Sequence, residues 1–223
     1  MSVSIYTIGD RGITLSVDGE ISLENQQKIW WIGKQLEDGE DTSIIDIVPG
    51  MNNLTILLNP YSDIDRNILK QQLRQLWEDS KKNNFSQETG GKLLEVPVVY
   101  GGNKGPDLLD VARQNHMTID EVIKLHTAPI YTVYFIGFMP GFVYLGGLDS
   151  KIHTPRRSKP RMSIPAGSVG IGGAQTGVYP RESPGGWQII GNTELLFFDQ
   201  NRDNPSLFHP GDQLRFVVEE ILV

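Results

Sequence analysis

The 223-residue chain has 27 acidic and 20 basic side chains, a formal charge of −7 and a pI near 5.1; this balance excludes a general nucleic-acid binder, which needs a broad basic face to neutralise phosphates. It contains no cysteine, which excludes a disulfide framework, a thiolate nucleophile and a thiolate metal site. No apolar run approaches the roughly 18 residues that span a bilayer, and the N-terminus lacks a basic segment followed by an apolar core, so the expectation is a cytoplasmic protein with no membrane attachment.

Residues 12–17 alternate apolar and polar side chains as a strand does, and Ser22–Asp38 reads as a helix with Leu23, Trp30 and Gly33 along one stripe. Ser43–Val48 and Leu54–Leu58 are short apolar runs separated by the turn-rich Pro49-Gly50-Met51-Asn52-Asn53. Ser62 is placed to cap a second helix carrying Ile64, Ile68, Leu69, Leu73, Leu76 and Trp77 at three- and four-residue spacings. With Leu93–Tyr100 as a further strand, the order from residue 12 is β-α-β-β-α-β, the ferredoxin-like split unit. A first α/β domain is expected over about residues 1–90 and a second over 91–223, with the strand near Leu93 belonging to either.

Pro106 suits the first turn of a helix, and Thr118 with Glu121 predicts a capping box opening another helix that ends near His126. From Ile130 the pattern changes to short strands bounded by Gly, Pro or Asp, at Tyr131–Phe138, Gly167–Gly172, Trp187–Gly191, Leu195–Asp199 and Gln213–Val218. Many short strands without a long helix predict a barrel or sandwich.

The 32 residues from Ser150 to Arg181 contain no carboxylate but include Lys151, Arg156, Arg157, Lys159, Arg161 and Arg181. Six cations in one segment of an acidic chain repel one another unless solvent, acids elsewhere in the fold or a bound anion compensates them. Glycines in and around the segment would let backbone amides approach an anion closely; the alternative is a solvated loop whose cations pair with distant acids. In Pro155-Arg156 and Pro160-Arg161 the prolines restrict where the guanidinium forks point, and such forks suit carboxylate or phosphate. Arg161 is the expected ligand contact of the two. Gln175 and Tyr179 could read an amide, with Gly185 and Gly186 supplying close backbone approach. Turn hydrogen bonding and core packing are the competing roles.

His126 lies where the helix dipole favours its cationic form, which makes it a further candidate for binding substrate, against a structural role in the core. Walker, His-Glu-x-x-His and Gly-x-Ser-x-Gly signatures are missing, and the four histidines are not spaced as metal ligands, so no metal site is expected and no catalytic nucleophile is assigned.

The run Tyr131–Leu145, with Gly137-Phe138-Met139-Pro140-Gly141-Phe142 at its centre, resembles the family that contains allophanate hydrolase subunit 1, the sporulation-kinase inhibitor of bacilli and the B subunits of bacterial 5-oxoprolinase. Pro155-Arg156, Pro160-Arg161, Ile164–Gly173, Gln175–Pro180 and Ser183-Pro184-Gly185-Gly186-Trp187 continue the likeness, as do Pro49–Asn53, Pro97–Gly102 and Gly105-Pro106-Asp107-Leu108. The resemblance implies an α+β chain, with a ferredoxin-like α/β domain followed by a C-terminal cyclophilin-like β-barrel. It also implies ATP-dependent opening of 5-oxoproline to L-glutamate in a hetero-oligomer with subunits A and C, with ATP as co-substrate, accompanied by Mg2+, and no tightly bound cofactor. An allophanate hydrolase-type subunit and a non-enzymatic inhibitor of a sensor histidine kinase are the alternatives it offers. A peptide-binding or prolyl-isomerase role rests on fold analogy alone.

Overall fold

The computed structural model describes residues 2–62, 65–83, 85 and 91–222. The chain divides into two compact units, Met1–Thr89 and Gly90–Val223, each with its own core.

In the first unit, β1 (Val3–Ile8), β2 (Gly12–Val17), β3 (Ile44–Gly50) and β4 (Asn53–Leu58) form an antiparallel sheet in the order β1-β2-β4-β3. Helices α1 (Leu23–Asp38) and α2 (Arg66–Ser80) pack into one apolar cluster with β2 and β4. This is the split β-α-β arrangement of a ferredoxin-like unit, but its fourth strand is β1 rather than the run at Leu93–Tyr100. β1 alternates half-buried and exposed side chains, the period-2 signal of a strand covered on one face.

Ser22 caps α1 by accepting a hydrogen bond from Asn25 N–H. The buried stripe of that helix is Asn25, Gln26, Ile29, Ile32, Gly33 and Leu36, so of the three residues expected to form it only Gly33 is fully buried, seated against Ile47 and Leu54. Helix α2 is capped by Asp65, whose side chain accepts from Asn67 N–H, not by Ser62, whose hydroxyl donates to Asn59 O at 2.8 Å. Leu69, Leu73 and Trp77 are buried, contributing roughly 1.5–3 kcal/mol each. Ile68 is 63% exposed, off the buried stripe, and Ile64 lies outside the described residues.

In the second unit, β5 (Leu93–Gly101), β6 (Tyr131–Ile136), β7 (Val143–Gly146), β9 (Ser168–Gly172), β10 (Gln175–Val178), β12 (Gln188–Asn192) and β13 (Gln213–Leu222) close into a barrel in the order β10-β7-β6-β13-β5-β12-β9. The last strand, β13, lies parallel to β5 along its whole length. Two short helices, α3 (Leu108–Gln114) and α4 (Ile119–Thr127), pack against this core, and α4 opens with the predicted capping box of Thr118 and Glu121.

A separate two-stranded ribbon pairs β8 (Arg161–Ile164) with β11 (Ser183–Gly185). Leu195–Asp199 is not a strand; only Phe198 bridges, to Ser206, while Phe197 is buried against Phe208. Its apolar residues therefore pack as a loop plug rather than a ladder.

Candidate functional site

The basic segment reaches the ribbon through a loop held to its surroundings by backbone bonds. Thr154 bridges to Gly173, Gln188 Nε2 donates to Pro155 O at 2.9 Å, and Arg157 N–H donates to Gly186 O at 2.7 Å. These pins set where each arginine starts.

Arg157 and Arg161 converge on Asp107, which is 1% exposed and sits just before α3. The Arg161 terminal nitrogens donate to both carboxylate oxygens at 2.7 Å each, Arg157 Nη1 donates to one at 2.7 Å, and Ile189 N–H donates to the other at 2.7 Å. Two of the segment's cations are thus compensated by an acid from elsewhere in the fold, and the anion that Arg161 holds in a fork is the protein's own. The carboxylate raises the Arg161 pKa above its ordinary value through that hydrogen bond. Asp107 is the residue that sequence reasoning missed: Gly105-Pro106-Asp107 signals a helix start, and its bland helix-start reading conceals a buried carboxylate.

Arg156 takes a different course. It is exposed, has no carboxylate partner among the described residues, and its guanidinium carbon lies 5.8 Å from the centre of the Trp187 ring. Beneath it is a satellite core of Met139, Phe142, Ile164, Tyr179, Trp187 and Ile189, with Tyr144 packed on its edge. Phe142 meets Tyr179 and Trp187 edge-on at 5.1 and 5.5 Å, the geometry favoured by ring quadrupoles. Burial raises the pKa values of Tyr144 and Tyr179, and nearby Arg156 partly offsets both rises.

Two of the glycines make room for this aromatic group. A Cβ on Gly172 would lie 2.5 Å from the Trp187 indole, and one on Gly185 would lie 2.5 Å from the Tyr179 hydroxyl oxygen, so both positions are glycine because rings occupy the side-chain space. Above the cluster, Phe138 has φ +64° and is 61% exposed, and Met139 N–H donates to Gly137 O across it at 2.7 Å. A bulky residue at the centre of such a γ-turn stores strain on the order of 1–3 kcal/mol.

The remaining candidates divide. Tyr179 and Gly185 belong to the aromatic group, Gly186 uses its carbonyl to hold Arg157, and the Gln175 amide nitrogen is buried without a hydrogen-bond partner. His126 is corrected outright: it is fully buried in the barrel core, stacked on Phe216 at 4.5 Å. Thr176 Oγ1 donates to Gly170 O at 3.0 Å, so His126 Nε2–H donates to Thr176 at 2.9 Å and Nδ1 accepts from Tyr100 O–H at 2.8 Å. Desolvation lowers the His126 pKa to about 3. The ring is neutral and beyond reach of a ligand.

A family model described as carboxyltransferase domain, subdomain C and D, matches residues 3–208. The chain belongs to this family. It is 46% identical to the B subunit of 5-oxoprolinase from Haemophilus influenzae, over 98% of this chain and 99% of that one, and 37% identical to the B subunit of 5-oxoprolinase from Bacillus subtilis, over 96% and 91%. The solved urea amidolyase of Kluyveromyces lactis superposes with a TM-score of 0.80 at 21% identity, covering 98% of this chain but 15% of that much longer one, a likeness of fold. The curated relatives support a role as a component of an enzyme complex, and the solved likeness agrees with an α+β chain whose barrel is cyclophilin-like.

Proposed function

We propose that this chain is the B subunit of an ATP-dependent 5-oxoprolinase, opening the lactam of 5-oxoproline to L-glutamate in the cytoplasm together with subunits A and C. The observation that carries this reading is the 46% identity with the Haemophilus influenzae 5-oxoprolinase component over nearly the full length of both chains. A lactam is a poor electrophile; phosphoryl transfer from ATP to its oxygen makes the carbon open to water, after which the C–N bond breaks and the nitrogen leaves as the amine of glutamate, with ADP and phosphate as the other products. The step develops negative charge that fixed cations and donors stabilise.

Arg156 over Trp187, an uncompensated cation on a rigid aromatic base, is suited to hold such an anion, and the unpartnered Gln175 amide is suited to a carbonyl oxygen. The donor set for Mg2+ does not fit this chain alone: among the described residues no cluster of three or more His, Asp or Glu exists to hold a metal. His126, bonded to two hydroxyls, is sealed in the core. These features favour a composite site completed by residues of a partner, with exposed Phe138 at the rim available for contact.

Glutamate and ADP formation are to be followed for the chain alone and for the mixture with subunits A and C. Turnover is expected from the mixture only. Arg156→Ala is expected to lower kcat at least about tenfold with assembly intact, since it removes transition-state charge stabilisation. No glutamate from the mixture would overturn the reading, and full activity from the chain alone would overturn the composite site.

A further inference from the structure

On the other side of Ile164 and Ile189 from the aromatic cluster lies a cleft of about 360 Å³, lined by Lys104, Arg161, Ser163, Ser168 and Asn192 among others. We propose that this cleft binds a phosphate group.

Arg161 has five N–H donors and gives two to Asp107, which leaves three. Asp107 also accepts from Arg157 and Ile189 N–H, so the carboxylate is held from several directions and fixes the guanidinium plane before any ligand arrives. Preorganised donors of this kind lower the cost of binding. Lys104 has no carboxylate partner among the described residues, and its ammonium meets only Asn192 Oδ1, at 3.3 Å. Asn192 is itself positioned by donating to Ala166 O at 2.9 Å.

Ser168, 2% exposed, lines the same cleft with a hydroxyl that has no hydrogen-bond partner among the described residues. The acidic group at the rim is Glu182, which is exposed and accepts from Ser163 Oγ at 2.7 Å.

Two cations, Lys104 and Arg161, line the cleft and, among the described residues, no carboxylate does; behind it, the charge of Asp107 is offset by Arg157, leaving an excess of two positive charges facing the cleft. A phosphate dianion matches that excess, and its oxygens suit a guanidinium fork, an ammonium and a hydroxyl together. A monocarboxylate would neutralise only half of it.

The test is a titration of the isotopically labelled full chain, followed by amide chemical shifts, with inorganic phosphate, with ATP, and with acetate at matched ionic strength. Saturable shifts are expected at Asn103, Lys104, Ser168 and Asn192 with the phosphate probes and not with acetate. Lys104→Ala is expected to weaken phosphate binding about tenfold while leaving the rest of the spectrum unchanged. Tighter binding of ATP than of inorganic phosphate would assign the group to a nucleotide, and equal binding would assign it to free phosphate; either upholds the site. Equal shifts with acetate, or affinity unaltered by Lys104→Ala, would overturn it. No turnover is measured, so failure here is separate from failure of the proposed reaction.

Discussion

The dipole at the end of α4 favours a charged His126 by about 0.3–1 kcal/mol, whereas full burial disfavours that charge and lowers the pKa to about 3. The larger effect wins, and it has a consequence for stability. Between pH 6.5 and 3 the unfolded chain holds a proton on this histidine that the folded chain does not, so stability falls as pH falls through that window. Urea unfolding is expected to show a loss of about 2 kcal/mol between roughly pH 7.5 and 5 from this group, and His126→Gln is expected to flatten that slope; an unchanged slope would refute the assignment. For Asp107 the logic reverses, because removing the acid strands two cations. Asp107→Asn is expected to cost about 2–3 kcal/mol by chemical denaturation, less than a fully buried pair because both arginines are partly exposed.

Among the elements, the hairpin tip at Gly137–Phe142 joins local strain to exposure. Phe138→Gly removes the penalty of a positive φ but also the edge contacts of its ring with Phe142 and Tyr179, so a net gain of no more than about 1 kcal/mol in stability is expected. If the phenyl ring meets a partner protein, the same variant also weakens assembly, as sedimentation of the A, B and C mixture would read; loss of both stability and assembly would argue for a core role. The capping box of α4 was legible because its bonds span three residues, and α1 was legible for the same reason. The α2 cap was misread because Ser62 and Asp65 are both competent acceptors and only the path of the chain chooses between them. β7, β8, β10 and β11, of three or four residues each, are too short to show a period, and the pairings of β7 with β10 and of β8 with β11 join segments separated along the chain.

In the whole molecule, the apolar clusters of the two units share no residue, and the barrel closes on strands that all follow residue 90. A fragment of residues 91–223 is therefore expected to unfold cooperatively with near-ultraviolet circular dichroism intact; a fragment lacking both would show that the barrel needs the first unit. The α+β order, the composition class, most of the helix starts and the family could be read along the chain, because these rest on local periodicity, residue counts and contiguous motifs. Tertiary structure alone decided that Asp107 answers Arg157 and Arg161, that glycines seat Trp187 and Tyr179, that β1 completes the first sheet, and that Arg156 and Lys104 are left without a carboxylate partner among the described residues. Charge compensation and ring packing act through space between residues tens of positions apart, and no spacing along the chain encodes which partners meet.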